Sequence, residues 1–123
     1  MITLTVKGEL TDLNTYIKAL NNDRWSGNTI KQEETHRVAW EARLARLKPV
    51  QAYPVKITYR WYSPDQRKDT DNVAFSKKFI NDGLVEAGIL ENDSRKFIAG
   101  FTDEFYIDKK NPRVEIEIRT MVE

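Results

Sequence analysis

Val55-Lys56-Ile57-Thr58-Tyr59-Arg60-Trp61-Tyr62-Ser63-Pro64-Asp65-Gln66-Arg67-Lys68-Asp69-Thr70-Asp71-Asn72 is the stretch whose change of rhythm decides the fold. Val55, Ile57 and Tyr59 alternate with Lys56, Thr58 and Arg60, the period-2 pattern of a strand, which runs to about Tyr62. Ser63 to Thr70 is a polar turn with Pro64 and no apolar residue. From Asp71 the spacing becomes helical and stays so to Ala87. Asp71 sits where negative charge suits the helix dipole, and Gly88 is a natural stop. The unit is strand, turn, helix.

The flanks extend it. Ile2, Leu4 and Val6 alternate with Thr3, Thr5 and Lys7 as a first strand ended by Gly8. Leu10 to Asn22 reads as a helix, started by Thr11-Asp12-Leu13-Asn14 and carrying Tyr16, Ile17 and Leu20 at helical spacing. Trp25-Ser26-Gly27-Asn28 reads as a loop. Thr29 then caps a second helix from about Ile30 to Leu47, with Val38, Ala42 and Ala45 on one side and Pro49 as its stop. After Gly88 comes a connector, Ile89 to Ser94, then a strand from Phe97 to Ile107. Lys109-Lys110-Asn111-Pro112 reads as a hairpin turn, and Val114, Ile116 and Ile118 mark the last strand. The order β-α-α-β-α-β-β predicts an α+β fold. It is a single domain over 1–123, a four-stranded mixed sheet with three helices packed on it.

Composition narrows the chemistry. A chain of 123 residues is one domain's worth, and 40% hydrophobic with 32% charged residues describes a globular protein. With no cysteine there are no disulfides, zinc knuckles or thiol nucleophiles. A single histidine, His36, argues against His-rich metal sites, so any metal is expected to be held by oxygen. No apolar run approaches the ~18–20 residues of a membrane span. Met1 to Leu10 lacks the pattern of a signal peptide. No membrane and a cytoplasmic location are therefore expected. Net charge is +1, but residues 1–62 carry +4 and residues 63–123 carry −3. Either this is surface scatter, or some acids of the second half hold divalent cations.

Asp69 and Asp71 are the acids that suggest the second reading. In an extended Asp-x-Asp both side chains point the same way, and two carboxylates with waters suit Mg²⁺. Asp93 supplies a third acid if its segment returns toward the start of the helix. Asp71, Phe75, Lys78 and Asp82 fall on one helical stripe, which places the Lys78 ammonium two turns from Asp71, where it can meet a phosphate oxygen. Spacing alone equally allows turn and cap roles for Asp69 and Asp71 and a solvated Lys78. Trp40 and Phe79 are expected in the core and His36 at the surface or its boundary. Trp25 is left open between DNA stacking, a dimer contact and simple packing.

Taken together, Asp69-Thr70-Asp71-Asn72, Lys77-Lys78-Phe79-Ile80-Asn81-Asp82-Gly83-Leu84, Ala87-Gly88-Ile89-Leu90 and Asn92-Asp93-Ser94 resemble the central motif of the RusA Holliday-junction resolvases. Gly8-Glu9-Leu10 with Leu13-Asn14-Thr15-Tyr16-Ile17, and Asn111-Pro112-Arg113-Val114-Glu115, resemble the ends of the Gram-positive phage branch. The resemblance implies a Mg²⁺-dependent homodimeric endonuclease, with Mn²⁺ as a substitute, acting on four-way DNA and encoded by a phage or prophage. It implies Asp69, Asp71 and Asp93 as metal-binding catalytic aspartates and Lys78 as the catalytic lysine. The stretch from Asp71 to Lys78 is three residues longer than in the enterobacterial member, which leaves Lys77 as the rival lysine. Two other readings stand beside it: a non-catalytic dimeric DNA-binding accessory protein of the same fold, and a nuclease for other branched DNA.

Overall fold

A computed structural model describes residues 1–121. The elements are β1 (Ile2–Lys7), α1 (Leu13–Asn22), α2 (Arg24–Leu44), β2 (Val55–Ser63), α3 (Thr70–Ala74), α4 (Lys77–Glu86), β3 (Ile98–Ile107) and β4 (Arg113–Thr120). The four strands form one mixed sheet in the order β1-β4-β2-β3. β4 runs antiparallel to both β1 and β2, while β3 runs parallel to β2. A parallel pair needs a crossover, and α3 with α4 supplies it. The α+β class, the element order and the mixed sheet are as the period changes predict, with the third helix divided into α3 and α4.

One face of the sheet carries the core. Leu4, Val6, Val55, Ile57, Tyr59, Trp61, Ile116 and Ile118 pack beneath Val38 and Ala42 of α2 and Ile80 and Leu84 of α4. α2 and α4 approach closely at Gly83, where an added Cβ would lie 2.6 Å from the Val38 Cβ. The other face is a polar ladder. Arg60 pairs with Glu104 at 3.0 Å and Glu117 at 3.4 Å, and Arg113 lies 3.7 Å above the Tyr62 ring.

Four local expectations change. First, residues 25–28 are not a loop: α2 begins at Arg24, because the Asp23 side chain caps it by accepting from the Ser26 N–H at 2.8 Å. α2 also ends at Leu44, short of Leu47. Second, Trp40 is 60% exposed rather than in the core. Val38, Ala39 and Ala42 define the buried side of α2, and Trp40 falls off it; Phe79 is buried as expected. Third, the 109–112 turn does not close a hairpin, since β3 and β4 flank β2 rather than each other. Fourth, the helix expected over 71–87 is interrupted at Phe75–Ser76. There Ser76 N–H bonds to Val73 O, Lys78 N–H to Phe75 O and Phe79 N–H to Ser76 O, all three-residue spacings. Buried Ser76 also returns its hydroxyl to Val73 O at 3.1 Å. Such overwound turns advance faster than an α-helix. The stripe that would join Asp71 to Lys78 is therefore broken within the stretch of unusual length.

Candidate active site

Asp69 occupies the N-cap position of α3 in extended backbone (φ −67°, ψ 155°), but its side chain makes no capping bond. Its role in the turn is played by the main chain: the Asp69 carbonyl accepts from Val73 N–H at 3.1 Å, and the Asp71 carbonyl from Phe75 N–H at 3.1 Å. Lys68, the nearest cation in sequence, is drawn away to Asp12 (2.9 Å) and Glu9 (3.6 Å). Asn72 turns inward; its Oδ1 accepts from the Asn14 N–H at 2.9 Å and ties α3 to the start of α1. Two exposed carboxylates thus stand on a well-anchored turn, and both line an open cleft of about 590 Å³ with Phe105, Tyr106 and Ile107 of the edge strand β3.

Asp71 continues into an adjoining cleft of about 440 Å³, shared with Phe75, Lys77, Asp103 and Phe105. The strand-to-helix reading did not single out Asp103. Its Oδ1 accepts from Trp61 Nε1–H at 2.9 Å and its Oδ2 pairs with Lys77 Nζ at 2.5 Å.

Asp93 reaches α4 from the opposite direction. Gly88 (φ 76°) stops the helix, Ile89 and Leu90 are buried, and the Tyr53 hydroxyl accepts from Glu91 N–H at 2.9 Å. This path carries Asp93 back to Lys78, whose Nζ lies 3.3 Å from Asp93 Oδ2 and 3.2 Å from Asp82 Oδ1. Burial opposes the Lys78 charge, but the bonds to Asp82 and Asp93 outweigh it and raise its pKa. Between the two lysine pairs stands Tyr59, bonded to Asn81 Oδ1. Burial pushes its phenol well above its ordinary value; the Asn81 bond opposes this, and the charges of Asp103 and Asp93 add to it.

The structure therefore joins Asp69 to Asp71 on one cleft, and Asp93 to Lys78 beside α4. Among the described residues no three acidic or histidine side chains gather as a metal cage. The paired oxygens of Asp69 and Asp71 still suit a hard cation, because Mg²⁺ is commonly bound by one or two carboxylates with water completing its shell. His36 is at the surface, 2.8 Å from Glu86. Trp25 is 70% exposed with the Arg24 guanidinium 5.6 Å from its ring centroid.

The endodeoxyribonuclease RusA family matches residues 13–119, nearly the whole domain, including Asp69, Asp71, Lys77, Lys78, Asp93 and Asp103. The chain belongs to the RusA family. Membership implies endodeoxyribonuclease activity of the Holliday-junction-resolving kind, in DNA recombination. No curated protein matches the chain. No helix among the described residues is long and apolar enough to cross a membrane.

Proposed function

We propose that this protein is a Mg²⁺-dependent, homodimeric endonuclease, also active with Mn²⁺, that cuts four-way DNA junctions for a phage or prophage in a bacterial cytoplasm. The observation that carries it is the pair of Asp69 and Asp71 carboxylates, free of capping bonds and open to one cleft. Asp69 and Asp71 hold the cation, and Asp93 of either protomer contributes the third carboxylate. When bound, the cation supplies positive charge at the scissile phosphate and lowers the pKa of water.

The chain's own groups do the rest. Lys78 is kept protonated by Asp82 and Asp93, and it presents its remaining donor to a phosphate oxygen. Asn72 fixes the turn that aims both carboxylates. Two-fold symmetry in the protein matches two equivalent scissile phosphates in the junction. The basic residues of the first half contact the arms through phosphates, so affinity falls steeply with salt. Labelled four-way junctions, flaps and linear duplexes test the reading. Junctions should be cut in Mg²⁺ and left intact in EDTA, and equal cutting of linear duplex would contradict it.

A further inference from the structure

Two adjacent lysines open α4, and a helix turns about 100° between neighbours, so they cannot serve the same side. Lys78 faces Asp82 and Asp93. Lys77 faces β3, and of the residues lining the cleft that holds Asp71, Asp103 and Phe105 it is the one cation. Its ammonium is held on several sides: Asp103 Oδ2 accepts from it, the Phe101 ring centroid is 4.0 Å away and the Tyr59 ring 5.3 Å away. The second oxygen of Asp103 is taken by the buried Trp61 Nε1–H, so the carboxylate cannot swing away. Side-chain exposure is 17% for Lys77 and 23% for Asp103, which places the pair at the wall of the cleft rather than in bulk water.

An ordinary surface ion pair contributes little and needs no such support. A lysine wedged between two rings and a carboxylate that is itself anchored to the sheet has lost its rotamer freedom beforehand. A group held at a fixed point beside a reacting phosphate stabilises developing charge without reorganising. We infer that Lys77 is a second phosphate-contacting cation of the Asp71 cleft, and that Asp103 is the positioning residue that holds it there. This rests on the nuclease reading above and adds to it a residue pair that lines the Asp71 cleft, whereas Lys78 is paired with Asp82 and Asp93.

The test uses the full-length protein with Lys77→Met, Asp103→Asn and the double variant. Cleavage of a labelled four-way junction is measured in Mg²⁺ at saturating enzyme, together with junction affinity in EDTA and the thermal midpoint. Asp103→Asn is nearly isosteric and keeps an acceptor for Trp61, so it reads the role of the charge even if Lys77→Met folds poorly. Lys77→Met should lower the cleavage rate about 10- to 100-fold, the usual loss for a hydrogen bond to a charged group. Asp103→Asn should lower it in the same direction, and the double variant should be no slower than Lys77→Met, because the two act as one unit. Metal-free affinity should change less than twofold. Near-normal rates in both single variants, or losses that multiply in the double variant, overturn the inference and leave the nuclease reading standing. So do losses that merely follow a fall in thermal midpoint. A failure of the unaltered protein to cut any branched DNA overturns the nuclease reading and this inference with it.

Discussion

At the scale of the residue, the site is a set of charges whose partners decide their tasks. Asp69 and Asp71 have none of the capping or pairing bonds that would explain them structurally, whereas Asp12, Asp23, Asp82 and Asp108 all do. Lys78 lies between Asp82 and Asp93, whose bonds outweigh the burial that opposes its charge and raise its pKa. Lys78→Ala should lower junction cleavage while leaving Mg²⁺ affinity of the protein close to unchanged, measured by titration calorimetry. A loss of Mg²⁺ affinity matching the loss of rate would show Lys78 organising the carboxylates instead. Asp69, Asp71, Asp93 and Lys78 stand out as candidates in the sequence because they fall at the spacing of the motif. Asp103 does not, although a signal exists: Phe101, Asp103 and Phe105 share one phase of β3, and an acid on that phase faces the helices. Only the fold shows that Trp61 and Lys77 meet it there.

At the scale of the element, helix starts and breaks carry the site. Asp12 caps α1 through the Thr15 N–H at 2.8 Å and holds Lys68 away from Asp69. Burial works against its charge, but the bonds from Thr15 and Lys68 prevail and its pKa is lowered. A carboxyl with a lowered folded-state pKa contributes stability above its unfolded value and loses it as the pH falls through the folded one. Asp12→Ala should cost about 1 kcal/mol near neutral pH, and the difference from the unaltered protein should shrink in denaturant melts below about pH 4. A constant difference down to pH 2 would contradict the assignment. Period-2 spacing gave β1, β2 and β4 within a residue or two, because burial on one face imposes the pattern directly. The break at Ser76 escaped, since a hydroxyl folding back on Val73 O competes locally with a helix that the apolar spacing still favours. The start of α2 escaped for the opposite reason: Gly27 and Asn28 have loop composition, but Gly27 is buried against Leu20, and that packing keeps the segment helical.

At the scale of the molecule, each 123-residue chain has a single Asp69–Asp71 pair, whereas the four-way junction proposed as substrate has two equivalent scissile phosphates. The protein should run as a dimer of about twice 14.4 kDa in light scattering at micromolar concentration, and a mass of one chain would contradict the symmetric assembly. The central claim is that the Asp69–Asp71 cleft does the cutting, and the cleavage rate of Asp71→Asn on a labelled four-way junction tests it most directly. The substitution is nearly isosteric and removes one charge from the cleft. Cleavage in Mg²⁺ should fall at least about 100-fold, since losses of groups that only support metal ligands already cost 10–100-fold. Junction affinity without metal should hold or improve, because a carboxylate that repels phosphate is gone. Retained cleavage with a lowered melting temperature would make Asp71 a structural residue of α3 and contradict the claim.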